Sequence, residues 1–224
     1  MFPKSVDLLA RRQVLIIGFA RQGQALARWL PTLGAHVTVN DRRPMDDLDV
    51  DPMDFPNVKF VLGDHPDHLL DDVDVICVSG GVPLTLPIIK EALRREIIVT
   101  NDAHLFVDRC LAPVIGITGS AGKTTTTTLV GEILKKAGHT TWVGGNIGSP
   151  LLDVMSGIRP QHKVVMELSS FQLELMRVSP PIAAVLNITP NHLDRHGTME
   201  NYMRAKAKIL IRQSGKDKII LGRD

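Results

Sequence analysis

Short apolar runs alternate with amphipathic stretches along the whole chain, the pattern of a parallel sheet covered by helices. Val14–Ile17 reads as a buried strand that runs into Gly18, and Gln24–Leu33 has helical periodicity closed by Gly34. Val37–Val39 is a second strand ending at Asn40-Asp41, and Lys59–Leu62 a third. Val73–Val78 is a strand leading into Ser79-Gly80-Gly81. Pro87–Arg95 reads as a helix and Ile97–Val99 as the last strand of this unit. Asn101-Asp102 caps a short helix through Val107.

At Leu111–Pro113 the pattern restarts. Val114–Ile117 is a strand, Gly119–Thr125 a loop, and Thr126–Ala137 a helix ended by Gly138. The strands Lys163–Met166 and Ile182–Asn187, the helix Met199–Arg212 and the strand Lys218–Leu221 follow. The expectation is therefore two α/β domains, residues 1–110 and 111–224, the first Rossmann-like and the second mainly parallel. A parallel sheet covers its strands with crossover helices, so a chain stopping just after a strand reads as a truncated second domain and a fragment.

Composition narrows the class without naming a function. The 224 residues are 44% apolar and 22% charged with a formal net charge of +2, ordinary for a soluble globular protein. That charge, with no Lys/Arg run, gives no reason to expect nucleic acid. No apolar stretch approaches the ~18 residues that span a bilayer. Residues 1–12 are polar and lack an apolar signal core, so the expected location is cytoplasmic, with no membrane partner. Cys77 and Cys110 are too few for a disulfide framework and read as reduced structural thiols.

The segment Gly119-Ser120-Ala121-Gly122-Lys123-Thr124-Thr125 lies between an expected strand and an expected helix. Glycines let backbone N–H groups curl around a phosphate, and a helix N-terminus adds its positive dipole end. Lys123 is a point charge for terminal phosphates, and the Thr124 hydroxyl suits Mg²⁺. Strict P-loops have a glycine five residues before Gly122, where this chain has Ile117. The shorter form present here resembles that of the Mur ligase and folylpolyglutamate synthetase superfamily. Its members are ATP-dependent amide ligases, so the resemblance implies ATP bound by residues 119–125 with Mg²⁺.

Three further segments agree with that resemblance. Gly144-Gly145-Asn146-Ile147-Gly148 is similar to the family's substrate-contacting turn, which assigns Asn146 to substrate. Glu167 follows a buried strand, and a carboxylate at the carboxyl end of a parallel strand lies where such sheets bind ligands. It is suited to holding Mg²⁺ against phosphate oxygens, although a solvated strand end would look the same. The Ser169-Ser170-Phe171-Gln172 tail resembles the branch that adds D-glutamate to UDP-N-acetylmuramoyl-L-alanine. In Asn187-Ile188-Thr189-Pro190-Asn191-His192-Leu193-Asp194-Arg195-His196 the resemblance makes His192 a metal ligand, with Asp194 and His196 supporting the loop. Lys206 matches a lysine that becomes an N-carbamate in these ligases and then joins Thr124, Glu167 and His192 as a metal ligand. Carbamylation needs a neutral amine, which burial near other cations favours. Without those upstream motifs, Lys206 reads as a solvent-facing helix lysine like Lys208.

In the first domain, Gly18-Phe19-Ala20-Arg21-Gln22-Gly23 has dinucleotide-fingerprint spacing, but Ala20 stands where the middle glycine lets a pyrophosphate approach. The resemblance assigns this domain to the UDP part of the substrate instead. Asp41 would accept from uracil or ribose, Arg42 would contact the ring or phosphates, and Ser79 and Gly81 would line the diphosphate. The catalytic set expected is Lys123, Glu167, His192 and Lys206, acting by charge stabilisation in a monomer whose partners are UDP-N-acetylmuramoyl-L-alanine and D-glutamate. The rivals are a sister ligase adding another residue, a nucleotide-binding module without ligase activity, and a Rossmann oxidoreductase.

Overall fold

The protein was analysed as a computed structural model that describes residues 7–48 and 50–223; half of the polar N-terminal stretch, residues 1–6, lies outside them. The chain divides into two compact units, Met1–Asp102 and Ala103–Asp224. The break expected at 110/111 falls inside the second unit, to which residues 103–110 belong. One tie of that segment is the His104 ring Nδ1, which accepts from the Arg177 amide at 3.3 Å.

The first unit contains strands β1 (Gln13–Ile17), β2 (His36–Asp41), β3 (Val58–Leu62), β4 (Val75–Val78) and β5 (Ile98–Thr100). Helix α1 (Arg21–Trp29) follows β1, and α2 (Pro87–Arg94) precedes β5. All five strands are parallel, in the order β3-β2-β1-β4-β5. The chain winds outward in both directions from β1, which leaves a crevice beyond the carboxyl ends of β1 and β4. Val14 to Ile17 are almost completely buried, as a two-sided strand requires. Phe19 packs edge-on against Phe55 and Phe60, with ring centroids 5.1 and 5.3 Å away, and pins the approach to β3 beside the crevice.

In the second unit come α3 (Asp102–Arg109), β6 (Val114–Thr118), α4 (Lys123–Lys136), β7 (Thr141–Gly145), β8 (Lys163–Glu167), α5 (Ser170–Glu174), β9 (Ile182–Val185), α6 (Leu193–His196), α7 (Met199–Ala207) and β10 (Lys218–Leu221). The sheet is again fully parallel, in the order β10-β9-β6-β8-β7. Its centre is Ile117, Val165 and Ala184, against which Val130 and Leu134 of α4 pack together with Val143. With β6 between β8 and β9, the ends of all three strands meet at one edge.

The two α/β units follow the expected pattern, and the differences lie at element ends. Helix α1 starts earlier than expected, at Arg21; because Pro31 supplies no N–H, the chain tightens into 3-10 geometry over Leu30–Leu33. Strand β4 starts only at Val75, since the Asp74 carboxylate is turned back onto the Gln13 amide and Arg12, both at 2.8 Å. Helix α4 begins at Lys123 and not Thr126, so Lys123, Thr124 and Thr125 form its first turn. Strand β9 stops at Val185, although Leu186 still donates to Thr118 and Asn187 still accepts from Ser120. Helix α7 stops at Ala207; three-residue turns carry the chain through Leu210, and Ile209 remains fully buried, which is why the apolar period persisted. Helices α5 and α6 were not foreseen, being too short to show a period.

Helix α1 approaches β1 closely because Gly23 has no side chain. A Cβ there would lie 2.0 Å from the Gly18 carbonyl oxygen. Gly23→Ala should therefore destabilise the chain by about 3 kcal/mol, the upper end of overpacking costs, because the obstacle is backbone. Urea unfolding of the two proteins measures it; a difference below about 0.5 kcal/mol would contradict this packing.

Candidate active site

The loop between β6 and α4 turns through Gly122, whose φ of +78° is left-handed and unfavourable for a side chain. That conformation starts α4 at Lys123, so the amides of its first turn have no acceptor within the helix and carry its positive dipole end. Lys123 curls back over the loop, its Nζ donating to the Gly119 and Ser120 carbonyls at 2.9 and 3.1 Å. Gly119 and Ser120 are buried, whereas Ala121, Gly122, Thr124 and Thr125 face solvent. The result is a rim of donors and one ammonium suited to a phosphate chain.

Glu167 ends β8, opposite Ile117 on one side and Gly145 on the other. Its side chain is 1% exposed. A buried carboxylate must be hydrogen-bonded, and here each oxygen is. Oε2 accepts from the Thr124 hydroxyl at 2.8 Å and Oε1 from the Asn146 side-chain amide at 2.8 Å. The Asn146 backbone amide also donates to the Glu167 carbonyl at 3.0 Å. Gly145 makes this approach feasible: a Cβ there would lie 2.4 Å from the Glu167 carbonyl oxygen. Three expected site residues, Thr124, Asn146 and Glu167, are thus brought together.

Lys206 is 1% exposed, on the buried face of α7. Its Nζ donates to the Gly119 carbonyl at 2.8 Å and the Thr118 hydroxyl at 3.3 Å, and lies 4.7 Å from the centre of the Tyr202 ring. Burial, and then the charge of Lys123, lower its pKa from 10.5 to about 8. Lys208 is only half-buried and donates to the Glu174 carbonyl, so it differs from Lys206 without being a free surface lysine.

The structure treats the histidines differently from one another. His192 is exposed, takes a φ of +53° ahead of α6, and has its ring edge-on to Phe171 at 5.2 Å. Among the described residues no hydrogen bond joins it to Glu167 or to the phosphate loop. No group of three or more His, Cys, Asp or Glu side chains able to hold a metal ion occurs among them either. His196 is the buried one: Nε2 faces the Ser170 hydroxyl and Nδ1 the Glu174 carboxylate, both at 2.9 Å. Its ring is stacked on Phe171 at 5.2 Å, while the Arg195 guanidinium lies 4.5 Å from the same ring centre. Burial lowers its pKa, with Glu174 opposing. The Ser-Ser-Phe-Gln segment therefore anchors the loop that carries His192.

Sequence reasoning assigned Asn187 no role. Its side-chain oxygen accepts from the Ser120 and Ala121 amides at 3.1 and 2.9 Å, and its amide group donates to the Ala121 carbonyl at 3.1 Å. The Ser120 hydroxyl bonds both the amide and the carbonyl of Thr189 at 2.9 Å and lies 3.0 Å from the Tyr202 hydroxyl. The only sequence signal was that Asn187 opens the motif after β9.

In the first unit a cavity of about 500 Å³ opens at the crevice, lined by Gly18 to Ala20, Asp41 to Arg43, His65, Ser79 and Gly81 to Pro83 among others. All four expected residues line it, and Asp41 is held there by its neighbours. Its oxygens already take the Phe19 amide at 2.7 Å and the Arg43 guanidinium at 2.9 and 3.0 Å. Arg42 is exposed at the rim, and the buried Ser79 hydroxyl has no partner among the described residues. His65, held at 2.5 Å by the buried Asn40, is a lining residue that sequence reasoning missed.

Burial raises the Asp41 pKa, but the Arg43 and Phe19 hydrogen bonds outweigh it and bring the carboxyl from 3.8 to about 2. A carboxyl lowered on folding stabilises above its unfolded value and loses that contribution as pH falls towards its folded value. Asp41→Asn should cost about 2 kcal/mol near neutral pH, a gap closing between about pH 4 and pH 2. Urea unfolding of both proteins across that range tests it; a gap independent of pH would contradict the assignment.

The Mur ligase middle-domain family matches residues 117–224, and the Mur ligase MurD-like N-terminal domain family matches residues 12–101. The UDP-N-acetylmuramoylalanine--D-glutamate ligase of Symbiobacterium thermophilum is 45% identical over 216 residues, covering 96% of this chain and 48% of that protein. The ligase of the same name from Pelotomaculum thermopropionicum is 43% identical over 217 residues, with the same coverage of each. The chain thus spans about half the length of the curated relatives it matches. In fold it is similar to the crystal structure of UDP-N-acetylmuramate:L-alanyl-gamma-D-glutamyl-meso-diaminopimelate ligase from Neisseria meningitides. That match has a TM-score of 0.62 at 17% identity, covering 96% of this chain and 72% of that one. The UDP-N-acetylmuramate-alanine ligase from Thermotoga maritima gives a TM-score of 0.55 at 21% identity, covering 94% and 49%. Two parallel α/β units with a phosphate loop in the second, joined to these matches along nearly the whole chain, make this protein a member of the Mur ligase family, of which it carries a MurD-like N-terminal domain and a middle domain.

Proposed function

We propose that this chain is the substrate- and ATP-binding part of an ATP-dependent ligase of peptidoglycan precursor synthesis, one that adds D-glutamate to UDP-N-acetylmuramoyl-L-alanine. The observation that carries the reading is the buried Glu167 carboxylate, joined to Thr124 of the phosphate loop and to Asn146. The names of relatives at 43–45% identity support the choice of substrates. In the proposed reaction ATP phosphorylates the substrate carboxylate, and the D-glutamate amine attacks the acyl phosphate to give amide and phosphate. The chain spans about half the length of those relatives, and binding of the two nucleotide ligands is what is proposed for its residues.

The residues have separable tasks in this reading. Residues 119–125 hold the phosphates, cradled by the backbone amides that open α4, and Lys123 exchanges its two loop carbonyls for terminal phosphate oxygens. Thr124 and Glu167 offer a hydroxyl and a carboxylate, hard oxygen donors that fit Mg²⁺. Bound there, Mg²⁺ supplies neutralisation of the charge on the transferring phosphoryl group. His192 is proposed as a further ligand on family resemblance alone. Lys206 is proposed as the carbamylated lysine, supported by its burial and by the lowered pKa that makes a neutral amine accessible near neutral pH. In the first unit, Arg42, Ser79 and Gly81 line the cavity proposed for the UDP moiety, with Asp41 shaping its wall.

Calorimetric titration of the chain with ATP and Mg²⁺ tests the nucleotide site. Lys123→Ala should weaken binding by about 1.5–3 kcal/mol, the value of a charged hydrogen bond, and Glu167→Gln should abolish the gain in affinity from Mg²⁺. UDP binding should be unchanged in both. Equal loss of both ligands would instead mean unfolding, and unaltered ATP binding would refute the loop assignment.

Labelled bicarbonate tests Lys206. A carbamate carbon signal is expected in the wild-type chain and none in Lys206→Ala. In the full-length enzyme the same substitution should remove most activity, with partial return on adding a short carboxylic acid. A fully active Lys206→Ala enzyme would return Lys206 to a structural role.

A further inference from the structure

Asn187 makes three side-chain hydrogen bonds to the phosphate loop and has no task in the reaction proposed above. Its carboxamide meets Ala121 as one peptide meets another: the oxygen takes the Ala121 amide and the nitrogen gives to the Ala121 carbonyl. A second acceptance, from Ser120, closes the grip. No other side chain of similar size offers an acceptor and a donor side by side in one planar amide. Aspartate lacks the donor, leucine lacks both, and glutamine would reach too far by one carbon. The neighbouring Thr189 backbone holds the Ser120 hydroxyl at both its amide and its carbonyl.

This grip is selective. It occupies the amides of Ser120 and Ala121 and leaves those of the first turn of α4, which starts at Lys123, without an acceptor in the helix. The loop is thus fixed at its front, before any ligand arrives, by the segment that leads to His192. Fixing a loop in its binding shape removes an ordering cost from association.

We infer that Asn187 is a positioning residue that holds the front of the phosphate loop in its phosphate-ready shape and couples that loop to the segment carrying His192. The inference rests on the proposed phosphate-binding role of residues 119–125, but its first readout needs no nucleotide. Residue-resolved water-exchange NMR on the 224-residue chain is the experiment. Ser120 keeps a second acceptor, the Asn187 backbone carbonyl at 3.0 Å, whereas the Ala121 amide depends on the side chain. Asn187→Ala should therefore speed Ala121 exchange by about tenfold while Ser120 changes much less. Amides of β6 and β8, in the same unit, should be unaffected, which separates a local effect from unfolding. Asn187→Asp keeps the acceptor, so it should retain most of the Ala121 protection while still losing the bond to the Ala121 carbonyl. Titration with ADP and Mg²⁺ then reads the consequence: about tenfold weaker binding for the alanine variant and at least as large a loss for aspartate, whose charge opposes phosphate. Unchanged Ala121 exchange in Asn187→Ala, or an aspartate variant as unprotected as alanine, would overturn the inference. A wild-type chain that ignores ADP would count against the phosphate-loop reading alone, since the exchange rates decide the clamp without it.

Discussion

A carboxylate buried to 1% exposure at the end of β8 constrains everything around it in the second unit. Leaving such a group unpaired costs several kcal/mol, so donors must be delivered to both of its oxygens. One comes from the start of α4, which requires the turn at Gly122 to launch that helix at Lys123. The other comes from the end of β7, which requires Gly145 to let two strand ends approach. The order β6-β8-β7 meets both demands by setting three successive strand ends side by side.

The same economy explains the cations. Gly119 offers one carbonyl, and both Lys123 and Lys206 donate to it. Two ammonium groups sharing one acceptor repel each other, and this adds to burial in lowering the Lys206 pKa. Lys123, beside first-turn amides of α4 that have no acceptor within the helix, makes the loop electropositive, which is the sense in which, under the proposed function, it suits phosphate. The first unit makes the opposite choice. Its buried carboxylate, Asp41, is satisfied internally by Arg43 and the Phe19 amide, and so serves the wall of the cavity more than its contents.

Polar residues beyond the obvious motifs turn out to be couplers. Phe171 carries His196, Arg195 and His192 on or against its ring, so the segment after β8 and the segment after β9 form one piece. Asn187 and Ser120 join that piece to the phosphate loop. Under the proposed function, loop, metal donors and lysine are therefore held by a single connected network and not by independent side chains.

The sequence by itself determined the two parallel α/β units, the strand-loop-helix setting of the phosphate loop, and the strand-end place of Glu167. These follow from local rules, namely short apolar runs, glycines at turns and helical periodicity. Periodicity does not see where a hydrogen-bond ladder ends, so α7 was drawn to Arg212 and β9 to Asn187. The tertiary structure alone decided the partners of each polar group. Asp41 stands at a strand end in the sequence, and only the fold shows Arg43, two residues away, turned back onto it. The residues themselves do not say which of His192 and His196 is buried, yet one is exposed and the other lies buried between Ser170 and Glu174. Asn187 bonds residues 66 and 67 positions earlier in the chain. No local pattern records such pairings, because they depend on which strand ends the sheet order sets side by side.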